Sequence, residues 1–426
     1  MRLTIENGRV IDPASGRDER VSVHLENGCI AGMGAAPAGF VAQQTIDAAG
    51  MVVAPGLIDL AARLREPGFE YRATLESEMR AALAGGVTSL SCPPDTDPPL
   101  DEPGLVEMLK HRARGLNGAK LFPLGALTVG LKGEVITEMA ELAEAGCVGF
   151  SAGPEISVDT QTLLRAMQYA KTFGFTVWLQ PQDPQLARGG VAHGGAVAGR
   201  LGLPGVPVIA ETVALHTIFE LMRVTGCRVH LCRLSSAAGI ELVRRAKAEG
   251  LPVSCDIAVH HLHLTDVDIG WFDSHYRVHP PFRAQRDRDA IRAAVADGTV
   301  DAICSDHTPV DDDAKLLPFS EAEPGVTGLE LLLPLTLKWA QESGVPLAGA
   351  LARITSAAAP ILGTGTGSLE VGAPADLCLF DPDEHWVVEP SQLLSQGRHS
   401  PFLGLEVSGR VRSTIVGGEL VYTRAA

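Results

Sequence analysis

The chain has 426 residues, of which 46% are hydrophobic, and it carries a formal net charge of −16 at pH 7. This length and apolar content predict one large domain of roughly 250 residues or more and a second, smaller one. The negative charge argues against a surface that neutralises phosphates, so neither nucleic acid nor an anionic membrane is an expected partner. No apolar run reaches the roughly 18 residues of a membrane span, and the N-terminus leads into a strand pattern rather than a signal peptide, which predicts a cytoplasmic protein.

Both ends of the chain show short, alternating strands. Strands are predicted at residues 3–11, 21–25 and 29–32, the last two joined across Asn27-Gly28, a pair suited to the positive φ angles of a tight hairpin. Towards the C-terminus, residues 376–380 predict a strand, and residues 413–416 and 419–422 flank Gly417-Gly418. We therefore expect residues 1–55 and 360–426 to form one small β domain, into which residues 56–359 are inserted.

The inserted segment alternates strands with helices. Helices are predicted at Leu75–Ala84, 160–172 and 240–248, each followed by glycine as a C-terminal stop. Eight apolar strands are predicted, at residues 56–61, 87–92, 120–127, 147–151, 175–181, 228–234, 253–259 and 300–306. Eight β/α units predict an α/β fold of the TIM barrel type, in which functional side chains gather at the C-terminal ends of the strands. The Gly-rich run 189–205 is the most loop-like part of the barrel and a candidate mobile or contact loop.

The end of the first barrel strand carries the run Asp59-Leu60-Ala61-Ala62-Arg63-Leu64-Arg65-Glu66-Pro67-Gly68. It resembles the Asp-x-His-x-His-Leu-Arg-Glu-Pro-Gly segment of dihydroorotases, the zinc amidohydrolases of pyrimidine synthesis, with Ala61 and Arg63 in place of the two histidines. Further segments, such as residues 367–376 and Ser400-Pro401-Phe402, follow in the family's order. The resemblance covers nearly the whole chain and implies an amidohydrolase barrel with a small composite β domain.

The resemblance also implies a dinuclear metal centre whose ligands this chain has lost. After strand four the family places a bridging residue where this chain has Phe150-Ser151-Ala152-Gly153-Pro154, and only Asp306, after strand eight, remains. The lost ligand positions are Ala61, Arg63, Ala152, Gln180 and Arg233. Zinc is held by imidazole, thiolate and carboxylate groups, whereas alanine has no lone pair to offer and a guanidinium repels a cation. We therefore expect no metal, no cofactor and no catalytic residue, with Asp306 vestigial.

The two arginines have a predicted role in balancing charge. An aspartate at a barrel mouth is costly to desolvate when it has no counter-charge. We expect Arg63, Arg233 or both within about 6 Å of Asp306, the range over which opposite charges act strongly. The alternative is that both long side chains extend into solvent.

The positions that contact substrate in the family are partly retained. Arg65 and His307 match, whereas Asp95 and His279 stand where the family has asparagines. Asp95 would repel the dianionic carbamoyl aspartate. Arg65 and His307 are thus vestigial substrate-binding residues, although Arg65 could equally pair with Glu66 or another acid.

Three other groups have a structural reading beside a functional one. In His260-His261-Leu262-His263, two histidines could share a strand face and bind a metal, but no acidic or thiol partner is evident in the sequence. The eight cysteines form no C-x-x-C pair, and Cys227 and Cys232, like the others, are expected to be reduced and buried. Asp311-Asp312-Asp313 predicts a solvated acidic surface rather than a cation site.

A fold kept nearly whole while its ligands are replaced is similar to one branch of the dihydroorotase family. In some bacteria such a chain is the partner of the catalytic chain of aspartate carbamoyltransferase. The resemblance implies a non-catalytic pseudoenzyme subunit of a hetero-oligomer. Two alternatives stay open: a hydrolase with a metal-poor or metal-free site, in which Asp306 and His307 transfer protons, and a ligand sensor that uses Arg65 and His307.

Overall fold

A parallel barrel occupies the centre of the computed structural model, which describes residues 2–153 and 158–424. In these ranges its eight strands are Leu57–Asp59, Val87–Cys92, Lys120–Ala126, Gly149–Ser151, Thr176–Leu179, Arg228–Leu231, Val253–Ala258 and Ala302–Cys304. Each strand pairs in parallel with the next, and a parallel bridge between Ala62 and His307 joins the chain just beyond the first and last strands. Every strand falls within its predicted segment, so the TIM barrel prediction is confirmed.

Helices surround the barrel and follow the local signals of the sequence. Thr74 caps Leu75–Ala84 through a reciprocal bond with Ser77, and Gly174 ends Thr160–Phe173 with a φ of 73° that a residue with a Cβ rarely adopts. The other helices are Pro103–Gly115, Met139–Ala145, Pro184–Ala187, Ala196–Leu201, Val208–Thr225, Ala237–Glu249, Gln285–Asp297, Leu332–Ser343, Leu347–Ala352 and Ala359–Leu362. Within the described ranges, no helix is both long and apolar enough to cross a membrane.

Strands from the two ends of the chain pair with each other. One six-stranded sheet has the order Glu419–Thr423, Glu406–Val416, Leu377–Val387, Val52–Pro55, Arg9–Asp12 and Arg17–Arg20, and a four-stranded sheet has the order Cys29–Met33, Val23–Glu26, Arg2–Glu6 and Gln44–Asp47. Leu3 and Val53 share a buried apolar cluster with Leu377 and Ile415. The expected meeting of the termini is therefore seen, while the domain boundaries 1–55 and 360–426 stay a prediction.

The terminal strands differ from the prediction in their number and bounds. The predicted strand at 3–11 is divided in two by a turn at Asn7, whose φ is 65°. Arg17–Arg20, Gln44–Asp47 and Val52–Pro55 were not predicted. Val52–Pro55 is buried at all four positions, so it lacks the alternation of polar and apolar residues that marks a half-exposed strand.

The Gly-rich segment 189–205 is more ordered than its composition suggests. Ala192–His193 pairs with Gly205–Val206, and Ala196–Leu201 forms a short helix between them. A Cβ on Gly205 would lie 2.5 Å from the Cα of Gly194, so two backbones pass each other too closely for a side chain. Two short strands and a helix therefore occur where the glycine-rich run predicts a loop, and its glycines permit close packing of the backbone.

A buried ion pair connects the barrel to the mixed sheet of the two termini. Asp376, which is almost fully buried, accepts a bond of 2.6 Å from Lys120 Nζ and one of 2.8 Å from the backbone N–H of Gly417. Lys120 begins the third barrel strand, and Asp376 precedes a strand of the sheet. One carboxylate therefore holds two parts of the fold together.

We expect Asp376→Asn to lower the free energy of unfolding by about 1–3 kcal/mol, because a charged acceptor with two partners is lost from a buried position. Urea unfolding followed by circular dichroism measures the effect. The matched control is Asp18→Asn, which breaks the exposed pair with Arg9 and should cost at most about 1 kcal/mol. Equal effects of the two variants would contradict this role of Asp376.

Candidate functional site

The candidate site lies at the mouth of the barrel, where the chain leaves strands one, six and eight. Three residues there have left-handed backbone angles without being glycine: Arg65 with φ 62°, Arg233 with φ 53° and Asp306 with φ 48°. Such angles cost energy for residues with a Cβ, and they are concentrated at functional sites. The three positive φ angles therefore mark these strand ends as a candidate functional site.

Asp306 lies between the two arginines that replaced metal ligands. Its Oδ1 is 3.4 Å from Arg233 Nε and 3.7 Å from Arg63 Nη1, and all three side chains are nearly buried. Both distances are well inside the predicted 6 Å, so the predicted pairing is confirmed and the reading in which both arginines extend into solvent is wrong. Burial raises the pKa of Asp306 to about 6, while Arg233 and Arg63 act in the opposite direction. The carboxylate is therefore charged at neutral pH.

Each arginine also has a second acceptor. Arg63 donates to Asp95 Oδ2 at 2.7 Å and to Thr308 Oγ1 at 2.9 Å, and Arg233 donates to Gln180 Oε1 at 2.6 Å. Burial alone would raise the pKa of Asp95, but the guanidinium of Arg63 brings it below its usual value. Arg63, Arg233, Asp95 and Asp306 thus form a set with two positive and two negative charges.

A buried polar chain fixes the position of Arg233. The backbone N–H of Arg233 donates to Asp256 Oδ1 at 2.5 Å, and Asp256 Oδ2 lies 3.1 Å from His230 Nε2. The other ring nitrogen of His230 lies 2.9 Å from Ser254 Oγ. Sequence analysis missed this group, although polar residues in the apolar strands six and seven were a visible signal. These buried hydrogen bonds support the left-handed backbone of Arg233, and that backbone brings the guanidinium group to Asp306.

The space between Ala61 and the two arginines is small. The cavity bordered by Ala61, Arg63, Gln180, Cys232 and Arg233 measures about 20 Å³, whereas a single water needs about 10–15 Å³. Within residues 2–153 and 158–424, no group of three or more His, Cys, Asp or Glu side chains could hold a metal ion. Ala152 is buried, its neighbours Ser151 and Gly153 border this space, and Pro154 of the same turn lies outside the described residues. The residues present do not fit a zinc centre.

A larger cavity opens outside the filled one. It measures about 450 Å³ and is bordered by Arg63, Arg65, Arg72, Asp95, Val278, His279, Asp306 and Glu323, among others. Burial and the positive charges of Arg233 and Arg277 lower the pKa of His279 to about 3, so this ring is neutral. The outer cavity therefore combines charged groups of both signs with a neutral imidazole.

Arg65 lies on the wall of the outer cavity. Its Nε donates to the backbone oxygen of Pro309 at 2.8 Å. Glu66 instead accepts from Arg112 at 2.9 Å and from the backbone N–H of Leu75. Of the alternatives for Arg65, pairing with Glu66 is therefore excluded, because Glu66 faces a helix N-terminus and the adjoining helix. Burial and the neighbouring Arg63 lower the pKa of Arg65 to about 10, which leaves it charged at neutral pH.

His307 is hydrogen-bonded to residues of the barrel frame. Its ring is fully buried, with Nε2 2.6 Å from Glu78 Oε2, and Nδ1 accepts from the backbone N–H of Gly328 at 3.1 Å. Glu78 also accepts from Ser395 Oγ at 2.7 Å. This network ties the last barrel strand to the first helix and to the C-terminal segment. Both ring nitrogens of His307 are therefore engaged, by Glu78 and by Gly328, while its assignment as a vestigial substrate-binding residue stays a prediction.

The histidine cluster, the cysteines and the acidic run 311–313 have environments that fit structural roles. His260 and His261 lie in a short 3₁₀ turn. The Nε2 atom of His261 contacts the backbone oxygen of Pro281, and the Nε2 atom of His263 contacts that of Leu335. Burial lowers the pKa values of both rings to about 4, and their partners are carbonyls rather than a shared ion. Seven of the eight cysteines, all within the described ranges, are buried, including Cys227 and Cys232, and Cys29 is exposed. Asp312 is largely exposed, as expected for a solvated acidic surface.

Comparison with known proteins places this fold and site among the amidohydrolases. A dihydro-orotase-like family model matches residues 50–238, and an amidohydrolase family model matches residues 205–422. An L-hydantoinase (dihydropyrimidinase) from Arthrobacter aurescens has the same fold, with a TM-score of 0.89 at 24% identity over 100% of this chain and 96% of that one.

Curated relatives narrow the family further. A "Dihydroorotase-like protein" of Pseudomonas aeruginosa is 48% identical over 422 residues, which is 99% of this chain and 100% of that protein. A "Dihydroorotase" of Geobacter sp. (strain M21) is 40% identical over 425 residues, 99% of each chain. The chain therefore belongs to the dihydroorotase family of amidohydrolases.

We expect Asp306→Asn to lower the free energy of unfolding by about 3–5 kcal/mol, because it leaves the buried guanidinium of Arg233 without its counter-charge. Arg233→Met should be destabilising as well, since it removes one of the two cations facing Asp306. The double variant should lose less than the sum of the two, with a coupling energy of about 1–3 kcal/mol in a double-mutant cycle. Strictly additive effects in chemical denaturation would contradict the ion pair.

Proposed function

We propose that this chain is a non-catalytic member of the dihydroorotase family, a pseudoenzyme subunit that supports the assembly and activity of the catalytic chain of aspartate carbamoyltransferase. The observation that carries the proposal is the position of two guanidinium groups at 3.4 and 3.7 Å from the single remaining aspartate of the site. Fixed positive charge occupies the place that the family gives to divalent metals. The chain therefore contributes to pyrimidine biosynthesis through its surface rather than through its pocket.

The chemistry of ring hydrolysis explains why this arrangement argues against catalysis. Zinc makes hydroxide available near neutral pH by lowering the pKa of bound water to about 7. In this chain the carboxylate of Asp306 faces Arg63 and Arg233, and the adjoining cavity of about 20 Å³ admits little more than one water. A general base in this environment has no metal-activated nucleophile from which to take a proton.

The partner is inferred from what remains intact. The barrel, its caps and its terminal sheets are preserved across the chain, although the ligand set is gone. A fold can outlast its chemistry when its surface has a role in an assembly. The branch of the family that this sequence resembles supplies the partner, namely the transferase chain that catalyses the preceding step of the pathway.

A second candidate is an active cyclic amidohydrolase with a metal-poor or metal-free site. It is favoured by relatives of 37–40% identity that are named dihydroorotase. It is also favoured by Asp306, whose pKa of about 6 would suit a general base. The two candidates differ in metal content and in turnover.

Elemental analysis and a dihydroorotase assay of the purified chain separate the two candidates. We expect less than about one zinc per ten chains and no conversion between carbamoyl aspartate and dihydroorotate, since four charged or apolar substitutions stand in the ligand shell. A metal-dependent dihydroorotase assayed in parallel is the positive control. Stoichiometric zinc together with turnover would decide for the enzyme.

Co-expression with the transferase catalytic chain of the same organism tests the partner. We expect the two chains to purify together at a fixed ratio, and the transferase to be more active in the complex than alone. An unrelated tagged protein controls for non-specific capture. Separate elution of two chains, with a transferase that is fully active by itself, would contradict the proposal.

A further inference from the structure

An exposed apolar ridge stands beside the barrel mouth. It consists of Val267, Trp271, Phe272, Leu316 and Leu317, which lie on the segments after barrel strands seven and eight. Trp271 is 94% exposed and Leu316 81% exposed, and the other three are also exposed. Large apolar side chains in such a group are unusual on a soluble surface and are typical of contact sites.

The ridge is held rigidly by bonds between its two segments. Lys315 Nζ donates to the backbone oxygens of Ser274, Arg277 and Glu323 at 3.1, 3.0 and 2.8 Å, and Ser274 Oγ donates to the backbone oxygen of Lys315. Below the ridge, Ile269 and Phe319 share one buried apolar cluster. A backbone segment that is already held in place loses little conformational entropy when a partner binds. The exposure of Trp271 is therefore built into the fold.

The same segments border the outer cavity of the site. Val278, His279 and Glu323 line that cavity, and the backbone N–H of Gly325 donates to the backbone oxygen of Arg277. The ridge and the mouth thus belong to one continuous face at the C-terminal end of the barrel. A protein bound to the ridge would therefore lie next to the outer cavity, which Asp306 borders.

The charge around the ridge limits what can bind it. The exposed acids of the two segments are Asp268, Asp273, Asp312, Asp313 and Glu321. The basic residues Arg277 and Lys315 are both engaged with backbone oxygens. A second copy of this chain, with its net charge of −16, would bring acids against acids in a symmetric contact. The complementary occupant is a protein surface with an apolar pocket bordered by lysine or arginine.

We propose that this ridge is the docking surface for the transferase catalytic chain, with Trp271 as the central anchor in an apolar pocket that has a basic border. This inference rests on the proposed function and adds to it the surface and the chemistry of the contact. Tryptophan is the residue type most enriched at the energetic centre of protein interfaces.

The first test replaces the anchors and measures affinity for the purified transferase chain. Trp271→Ser combined with Leu316→Ser should weaken binding at least about 30-fold, the loss expected when a central anchor is removed. The control is Val41→Ser combined with Val371→Ser, which alters two apolar side chains, 71% and 65% exposed, in other parts of the chain. The control should bind within about twofold of the unaltered protein, because its positions lie outside the ridge. Thermal unfolding checks that both variants are folded.

The second test concerns the acidic border. Asp312→Lys combined with Asp313→Lys should slow association about tenfold or more at low salt, with a smaller difference at high salt. Glu107→Lys combined with Glu144→Lys changes the net charge equally on exposed positions of two other barrel helices. A similar slowing by both variants would mean that total charge, rather than this border, governs the encounter, and would overturn the assignment of the border.

The outcomes separate this inference from the proposed function. If the unaltered chain binds the transferase and the ridge variant binds equally well, the ridge assignment is overturned while the proposed function stands. If the unaltered chain does not bind the transferase, the proposed function fails and the inference fails with it. If light scattering shows a dimer that the ridge variant converts to a monomer, the ridge is a contact between copies, which also overturns the inference.

Discussion

A buried carboxylate that needs a counter-charge organises the whole site. Burial makes the ionised form of Asp306 costly, and in this chain two guanidinium groups offset that cost. The other contacts follow from this requirement, because each arginine brings its own need for acceptors. Asp95 and Gln180 supply those acceptors, so substitutions that look independent in the sequence form one neutral set.

The frame around this set does not depend on a metal ion. Asp59 accepts from both the backbone N–H and the side chain of Ser305, which fixes strand one against strand eight. Asp256 holds the backbone of Arg233 in the same manner on the other side of the mouth. These bonds hold the backbone on both sides of the mouth, where Arg233 and Asp306 have left-handed angles.

With the inner cavity filled, the functional interest moves to the outer face of the barrel. The buried ammonium group of Lys315 connects the segments after strands seven and eight through hydrogen bonds. Large apolar side chains of both segments are exposed to solvent. Such presentation costs solubility unless another surface covers it. The acidic residues around the ridge add exposed negative charge to this face.

The sequence by itself determined the barrel, the loss of the ligands and the pairing of Arg63 and Arg233 with Asp306, since strand periodicity, glycine stops and motif positions are local properties. Only the tertiary structure decided three side-chain contacts, in which Arg63 donates to Asp95, His307 is hydrogen-bonded to Glu78, and Arg65 donates to the backbone oxygen of Pro309. It also decided that the strand Val52–Pro55 pairs with a strand from the C-terminal part of the chain. These pairs are distant along the chain, and only the closed barrel fixes which side chains come within bonding distance. The size of the filled cavity likewise depends on how the arginines fold over it, which no local pattern encodes.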